Sequence, residues 1–344
     1  MRVMQVMAGA DRGGAETAFV DTCLAFHEAG IEQLVVTRAN DLRVPQLQSA
    51  GLKVECLPFG GLIDFYTPYQ IAKLAKTFKP DIVQTWMARA AWKTPAGQGK
   101  YKVVSRLGGY YSLKYFKTTD FFTTITPDIR DYLIKEAVPS DKVRHINNFA
   151  ETENLAAPVS RESLDTPEDS LVLLALGRLH PSKALDVLIR SVVDLPGVHV
   201  WIAGEGDLRN ELEQLALDLN IDSRIHFLGW RSDRAALLQA CDICVFPSRY
   251  EPFGTVFVQA WANRVPVICS RADGPRQFVR DGDDGLLFDI DDVAGLKLAI
   301  ETLGHDHALQ QKLVDAGYVR YRTEFTKEKT VEAYLDCYRG LLGS

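Results

Sequence analysis

The feature that most constrains this chain is a regular alternation of short apolar segments with amphipathic stretches, repeated in two series. In the first series the apolar segments fall at residues 3–8, 33–37, 54–59, 82–86, 103–107, 122–126 and 143–147. Helical patterns lie between them, for example at 16–29 and 68–78. Alternation of this kind predicts βαβ units, because parallel strands need a connection long enough to hold a helix. Between residues 151 and 170 the texture becomes polar and acidic, with two prolines and no period, which reads as a linker. A second series follows at 171–176, 198–203, 225–228, 243–247, 265–269 and 286–288, with helices to the end. The reading is therefore α/β: two Rossmann-like, doubly wound domains facing a cleft. The first covers 1–152, a linker 153–170, and the second 171–325, with a closing helical segment over 326–344. Open α/β sheets take their ligands beyond the carboxyl ends of the strands.

A length of 344 residues suits two such domains, and 47% apolar with 24% charged residues is a globular profile. No run of eighteen apolar residues is present to cross a membrane. The opening stretch alternates like a strand rather than like a signal peptide, so a cytoplasmic protein is expected. The net charge of −6 is uneven: residues 71–145 carry fourteen Lys and Arg against six Asp and Glu, which leaves −14 for the rest. That +8 half is either an ordinary solvated surface or a face for something anionic, such as a membrane or a phosphorylated glycolipid. Nucleic acid is not expected, since the whole chain is acidic and carries no recognition motif. Cys241 and Cys244 form a lone CxxC in an apolar segment, which points to core packing rather than to a metal site.

Several strand ends carry residues that suit anionic ligands. The first strand runs into Gly9, Gly13 and Gly14 before a helix, where backbone N–H groups can approach an anion, although a plain tight turn fits equally. After the strand at 171–176 come Gly177, Arg178, His180 and Lys183, either plain surface residues at a strand end or a fork and a point charge able to hold a diphosphate. Gly204, Glu205 and Gly206 follow the next strand, and Leu228, Gly229 and Trp230 close the one after it; both groups suit the surround of a nucleobase or simple turns. The most specific stretch is FPSRYEPFGTVFVQA at 246–260. There a turn exposes Glu251, a helix begins near Gly254, and Gln259 lies about two turns beyond Glu251.

Taken in order, these blocks resemble the retaining glycosyltransferases of family 4, with the two-domain GT-B fold. The resemblance covers essentially the whole chain and is strongest from 174 to 288. GRLHPSK, AGEGD, FLGW, FPSRYEPFG and DGP through DGDDG match successive family blocks there, and GGAE and VRHINNF match in the first half. It implies that Arg178 and Lys183 bind the donor diphosphate and that Glu251 meets the hydroxyls of the transferred sugar. It further implies that the backbone at Phe253, Gly254, Thr255 and Val256 approaches the sugar and phosphates, and that Gly13 and Gly14 lie near phosphates and acceptor. It also implies that the closing helix returns to the first domain.

The chain departs from the family pattern at three places. Gln259 replaces a glutamate that holds the ribose, the segment 81–86 lacks a frequent His, and Ala184 stands where Gly is common, a minor change.

The implied activity is metal-independent transfer of a hexose, with UDP as the expected base carrier, to a glycolipid, saccharide or lipopolysaccharide-type acceptor. No cofactor is expected. In a front-side retaining transfer the protein mainly stabilises charge growing on the departing diphosphate. The aromatic and lysine-rich stretch 109–117 fits either peripheral contact with an anionic inner membrane face or an ordinary surface loop over a partly buried aromatic core. A weak nucleotide-sugar-binding protein, with Gln259 as the trace of lost activity, and a sugar-nucleotide epimerase of the same fold are the alternatives.

Overall fold

The computed structural model describes residues 1–11, 13–150 and 157–343. The chain forms two compact units, one of Met1–Phe149 with Lys327–Ser344 and one of Ala150–Thr326.

The first unit holds a seven-stranded parallel sheet of β1 (Arg2–Met7), β2 (Glu32–Thr37), β3 (Lys53–Cys56), β4 (Ile82–Trp86), β5 (Lys102–Leu107), β6 (Phe121–Thr124) and β7 (Val143–His145). Their order is β3-β2-β1-β4-β5-β6-β7. The central strands are buried almost throughout because helices cover both faces. Local chemistry sets the helix ends. Thr126 caps the helix Pro127–Lys135 by accepting the Ile129 N–H at 3.3 Å, with Pro127 in the first turn. The helix Lys327–Leu342 packs Tyr334 and Tyr338 edge-on against Phe26, at 5.6 and 6.2 Å between centroids. That contact makes the end of the chain part of this unit's core.

The second unit holds a six-stranded parallel sheet of β8 (Leu171–Leu176), β9 (Val198–Ala203), β10 (Ile225–Gly229), β11 (Ile243–Phe246), β12 (Val267–Ser270) and β13 (Leu286–Phe288), ordered β10-β9-β8-β11-β12-β13. Behind β11, the helix Thr255–Ala262 rests on an aromatic nest. In it Phe253 meets Phe278 at 5.0 Å, and Phe257 meets Trp261 at 4.9 Å and Phe325 at 6.1 Å.

Several strand ends shift from the sequence reading, and two differences have a clear physical cause. β3 stops at Cys56 rather than continuing to 59, because Phe59 takes a left-handed φ of 46° and turns the chain. The segment 153–170 is not a free linker over its described part, which starts at residue 157. Arg161 donates to the Ala240 carbonyl at 2.9 Å and to Asp242 at 2.9 Å, and Asp242 in turn accepts the Val172 N–H at 2.7 Å. A guanidinium with five fixed donors rivets this stretch to the second unit. Residues 153–156 lie outside the described residues.

Candidate functional site

In each sheet the winding reverses once. The chain leaves β8 to make β9 and β10 on one side and returns to make β11 on the other. Such a switch point opens a crevice between the two loops that follow the flanking strands. The loops after β8 and β11 carry the motif residues.

Lys183 ends a short 3-10 turn, Pro181–Lys183, and its ammonium forms an ion pair with the Glu251 carboxylate. Both side chains are 19% exposed, so the pair is reachable but largely shielded. The Lys183 ammonium also sits 5.3 Å from the centre of the Phe246 ring, a cation–π contact. Arg178 is exposed and makes no ion pair among the described residues, so its planar fork remains available to an incoming anion. His180 is taken up locally, capping the turn by accepting the Ser182 N–H at 3.2 Å.

The crevice continues into the helix Thr255–Ala262. Gly254 precedes it at φ +88°, and a Cβ there would come within 2.6 Å of the Phe246 ring, so only glycine fits. No side chain caps this helix, so its first N–H groups lack intrahelical partners and point outward from the start of the dipole. Thr255 and Val256 are half-buried there, while the Phe253 side chain is buried in the aromatic nest. Only the backbone of Phe253 can therefore meet a ligand. Gln259 is buried further down the same helix.

On the other side, a Cβ on Gly204 would fall 1.9 Å from the Gly177 carbonyl oxygen, so glycine lets the loops after β8 and β9 lie against each other. The Leu179 N–H donates to the Glu205 carbonyl at 3.0 Å. The Glu205 carboxylate reaches towards Gly229 at the end of β10, next to Leu228, half-buried, and Trp230, which is 68% exposed. The second unit thus gathers Gly177, Arg178, Lys183, Glu251 and the helix start in one group. Gly204, Glu205, Gly229 and Trp230 form an adjoining one.

Arg249 is a residue the sequence reading passed over. Its guanidinium bonds Asp186 at 2.7 and 2.9 Å, Asp291 at 2.6 Å and the Pro181 carbonyl at 2.9 Å. Its backbone N–H donates to the Ser182 carbonyl at 2.8 Å. Burial works to raise the Asp186 carboxyl, but the hydrogen bonds and charge of Arg249 outweigh it and hold the group below its ordinary range. Arg249 therefore clamps the Glu251 loop to the Lys183 turn. Its only sequence signal was its place inside the FPSRYEPFG block. The Gly274 N–H secures the other side of that loop by donating to the Glu251 carbonyl at 2.7 Å.

In the first unit the switch point lies between β1 and β4. Gly13 is the extended N-cap of the helix Gly14–Glu28, without a side-chain cap, and Gly14 opens that helix. Glu16 accepts the Ala10 N–H at 2.7 Å. Buried Arg43 braces the loop through the Ala10 carbonyl and the Thr37 hydroxyl, both at 3.1 Å.

Other candidate groups serve the fold. Asp284 is buried, accepts the Arg280 N–H at 2.7 Å and pairs with Arg320 at 2.7 Å. No group of three His, Cys, Asp or Glu able to hold a metal occurs among the described residues. Cys241 and Cys244 are free and buried, and burial pushes the Cys244 thiol up to about 12. In the stretch 109–117, Phe116 is buried against Phe122 and Tyr111, while Tyr110, 44% exposed, stacks edge-on with Tyr132.

Two parallel-sheet Rossmann-like units with such loops at the switch point are the GT-B architecture of glycosyltransferases. The model of "Glycosyl transferases group 1" matches residues 157–320, and that of "Glycosyltransferase Family 4" matches 12–154. The lipopolysaccharide core biosynthesis glycosyltransferase LpsE of Rhizobium meliloti is 36% identical over 97% of this chain and 98% of its own. LpsD of the same organism, described in the same terms, is 33% identical over 98% of each. HepE of Anabaena, solved with UDP and glucose, shares the fold at a TM-score of 0.83 and 20% identity, covering 99% of this chain and 100% of that one. The chain belongs to glycosyltransferase family 4. No helix among the described residues is long and apolar enough to cross a membrane.

Proposed function

We propose that this glycosyltransferase moves a hexose from a UDP-sugar to a hydroxyl of a lipopolysaccharide-core or related glycolipid acceptor. Transfer proceeds with retention, without a metal, and at the cytoplasmic face of a membrane. The observation that carries the reading is the switch-point crevice, where the Lys183–Glu251 pair, unpaired Arg178 and an uncapped helix start converge. A departing diphosphate needs fixed positive groups, and preorganised donors in a shielded site stabilise growing charge without reorganising. Arg178 and Lys183 take the diphosphate, and Glu251 takes sugar hydroxyls once the phosphates compete for Lys183. Gln259 retains an acceptor oxygen for the ribose, with a weaker bond than a carboxylate would make. Glu205 and Trp230 surround the base. Gly13 and Gly14 serve the acceptor side. The core-biosynthesis relatives support the acceptor class, and the UDP- and glucose-bound neighbour supports the donor.

Thermal shift against UDP, GDP and ADP tests the donor. A ligand at a hundred times its Kd adds about 2.7 kcal/mol, and UDP alone should give the shift. Slow hydrolysis of UDP-α-glucose in EDTA, followed by NMR, tests the rest. Release of the α-anomer first is expected, whereas the β-anomer first would overturn retention and silence in EDTA would overturn metal independence.

A further inference from the structure

The first unit carries an exposed apolar ridge that neither the donor site nor the sequence motifs use. After β3 the chain runs through residues 60–65 into the helix Tyr66–Phe78, and Leu62, Ile63 and Phe65 are 82%, 88% and 79% exposed. Tyr66 and Tyr69 are exposed beside them. This loop is not loose. The Asp64 carboxylate accepts from the Gly60 N–H at 2.7 Å, the Thr67 N–H at 2.9 Å and the Thr67 hydroxyl at 2.6 Å. The nearly buried Lys93 ammonium donates to the Gly61 carbonyl at 2.7 Å and the Asp64 carbonyl at 2.8 Å. A braced backbone thus holds three large apolar side chains in solvent, a cost that a monomeric soluble surface rarely carries.

Charge decides the occupant. The helix Tyr66–Phe78 contains no acid, and Tyr66, Tyr69, Lys73 and Lys76 fall on one exposed face at helical spacing. Asp64, the one acid of the loop, is turned inward and bonded. Aromatic and aliphatic side chains ahead of a lysine row are the pattern of an interfacial anchor on anionic lipid. A second copy of the chain would bring like charges together. We infer that the ridge from Leu62 to Lys76 is a membrane-docking surface that seats the first unit on an anionic bilayer. This deepens the glycolipid reading by naming the surface that meets the acceptor's membrane.

The test is flotation of the full chain with phosphatidylglycerol–phosphatidylcholine vesicles and with pure phosphatidylcholine vesicles. The wild type should float with the anionic vesicles and far less with the neutral ones. Ile63→Ser/Phe65→Ser should lower the partition coefficient at least tenfold. Lys73→Gln and Lys76→Gln should each lower it about fivefold, on anionic vesicles only. The UDP-induced thermal shift of all variants should match the wild type, which keeps the donor reading separate: its failure would leave flotation intact. Absence of wild-type flotation, or equal flotation of the variants, overturns the proposal. Loss of flotation in Tyr110→Ser/Lys114→Gln alone would move the contact to the 109–117 stretch and overturn it. So would a concentration-dependent dimer abolished by Ile63→Ser/Phe65→Ser without any vesicle binding.

Discussion

The two sheets reverse their winding at equivalent places, between β1 and β4 and between β8 and β11, yet they furnish these places in opposite ways. In the second unit the charged groups at the crevice are paired or open to solvent, as with Lys183, Glu251 and Arg178. In the first unit polar groups are inside. Gln5 and Gln84 are register partners on adjacent strands, both fully buried. The Trp86 N–H donates to Gln5 at 2.9 Å, but the Gln5 amide nitrogen and both polar atoms of Gln84 find no partner among the described residues. Arg106 lies buried with its guanidinium 4.2 Å from the centre of the Trp86 ring and donates to Asn148, and burial depresses its basicity. The second site can accept an anion without moving its frame. The first buries polar groups at a desolvation cost that apolar groups in the same places would not carry.

The largest expected effect is on the second site. Lys183→Ala should lower kcat/KM by about 10²-fold or more while the melting temperature moves little, because a preorganised cation is removed and no core is opened. Initial rates of UDP-sugar consumption check this. A loss below tenfold would place the diphosphate elsewhere and would end the contrast between the two switch points.

Gln84→Met breaks the comparison from the other side. Replacing an amide without partners by an apolar group of similar volume should stabilise the protein by about 1 kcal/mol, read from urea unfolding. Destabilisation instead would mean that an ordered internal water bonds the amide and that the first site is as fully satisfied as the second.

A smaller effect separates the units by pH. His199 and His226 stack at 5.3 Å on β9 and β10, with ring nitrogens 3.0 Å apart. Burial lowers both basicities; the Arg224 charge adds to it at His199, and His199 adds to it at His226. The unfolded chain then takes up protons near the ordinary value of 6.5 while the folded pair resists. Stability is therefore complete above 6.5 and falls as pH drops through 6.5 towards the depressed values. Hydrogen exchange should rise across β9 and β10 before β1 and β4, and His226→Phe should remove the difference. Equal rises in both sheets would show that the pair does not set the acid response.

What the sequence made legible follows the same division. Every strand was visible as a short apolar-rich run, the pattern expected where helices cover both faces of a parallel sheet. The second site was legible because its chemistry lies in contiguous blocks at strand ends. What escaped depends on partners distant in the chain. Arg249 acts through Asp186 and Asp291, and Arg161 through Ala240 and Asp242, so each looked like any surface cation. The ridge at 62–69 has no period of its own, and its exposure depends on Asp64 and Lys93 holding the loop. The sequence drew attention instead to 109–117, where Phe116 packs inward and Tyr110 stays 44% exposed.

The smallest prediction concerns Ala184, which the sequence marks as a minor departure and the structure places under strain beside Lys183. Ala184 sits at φ 50° and ψ 39°, the left-handed region, linking Lys183 to the helix Leu185–Ser191. A left-handed alanine costs roughly 1–2 kcal/mol. Its methyl is buried, which returns about 0.8 kcal/mol, and glycine loses more entropy on folding. Ala184→Gly should therefore stabilise by no more than about 0.5 kcal/mol in urea unfolding. A gain of 1 kcal/mol or more would show that the second site stores strain next to Lys183, as functional sites do. A clear loss would show that packing of the methyl sets this turn, and the second switch point would then, like the first, be held by what is buried behind it.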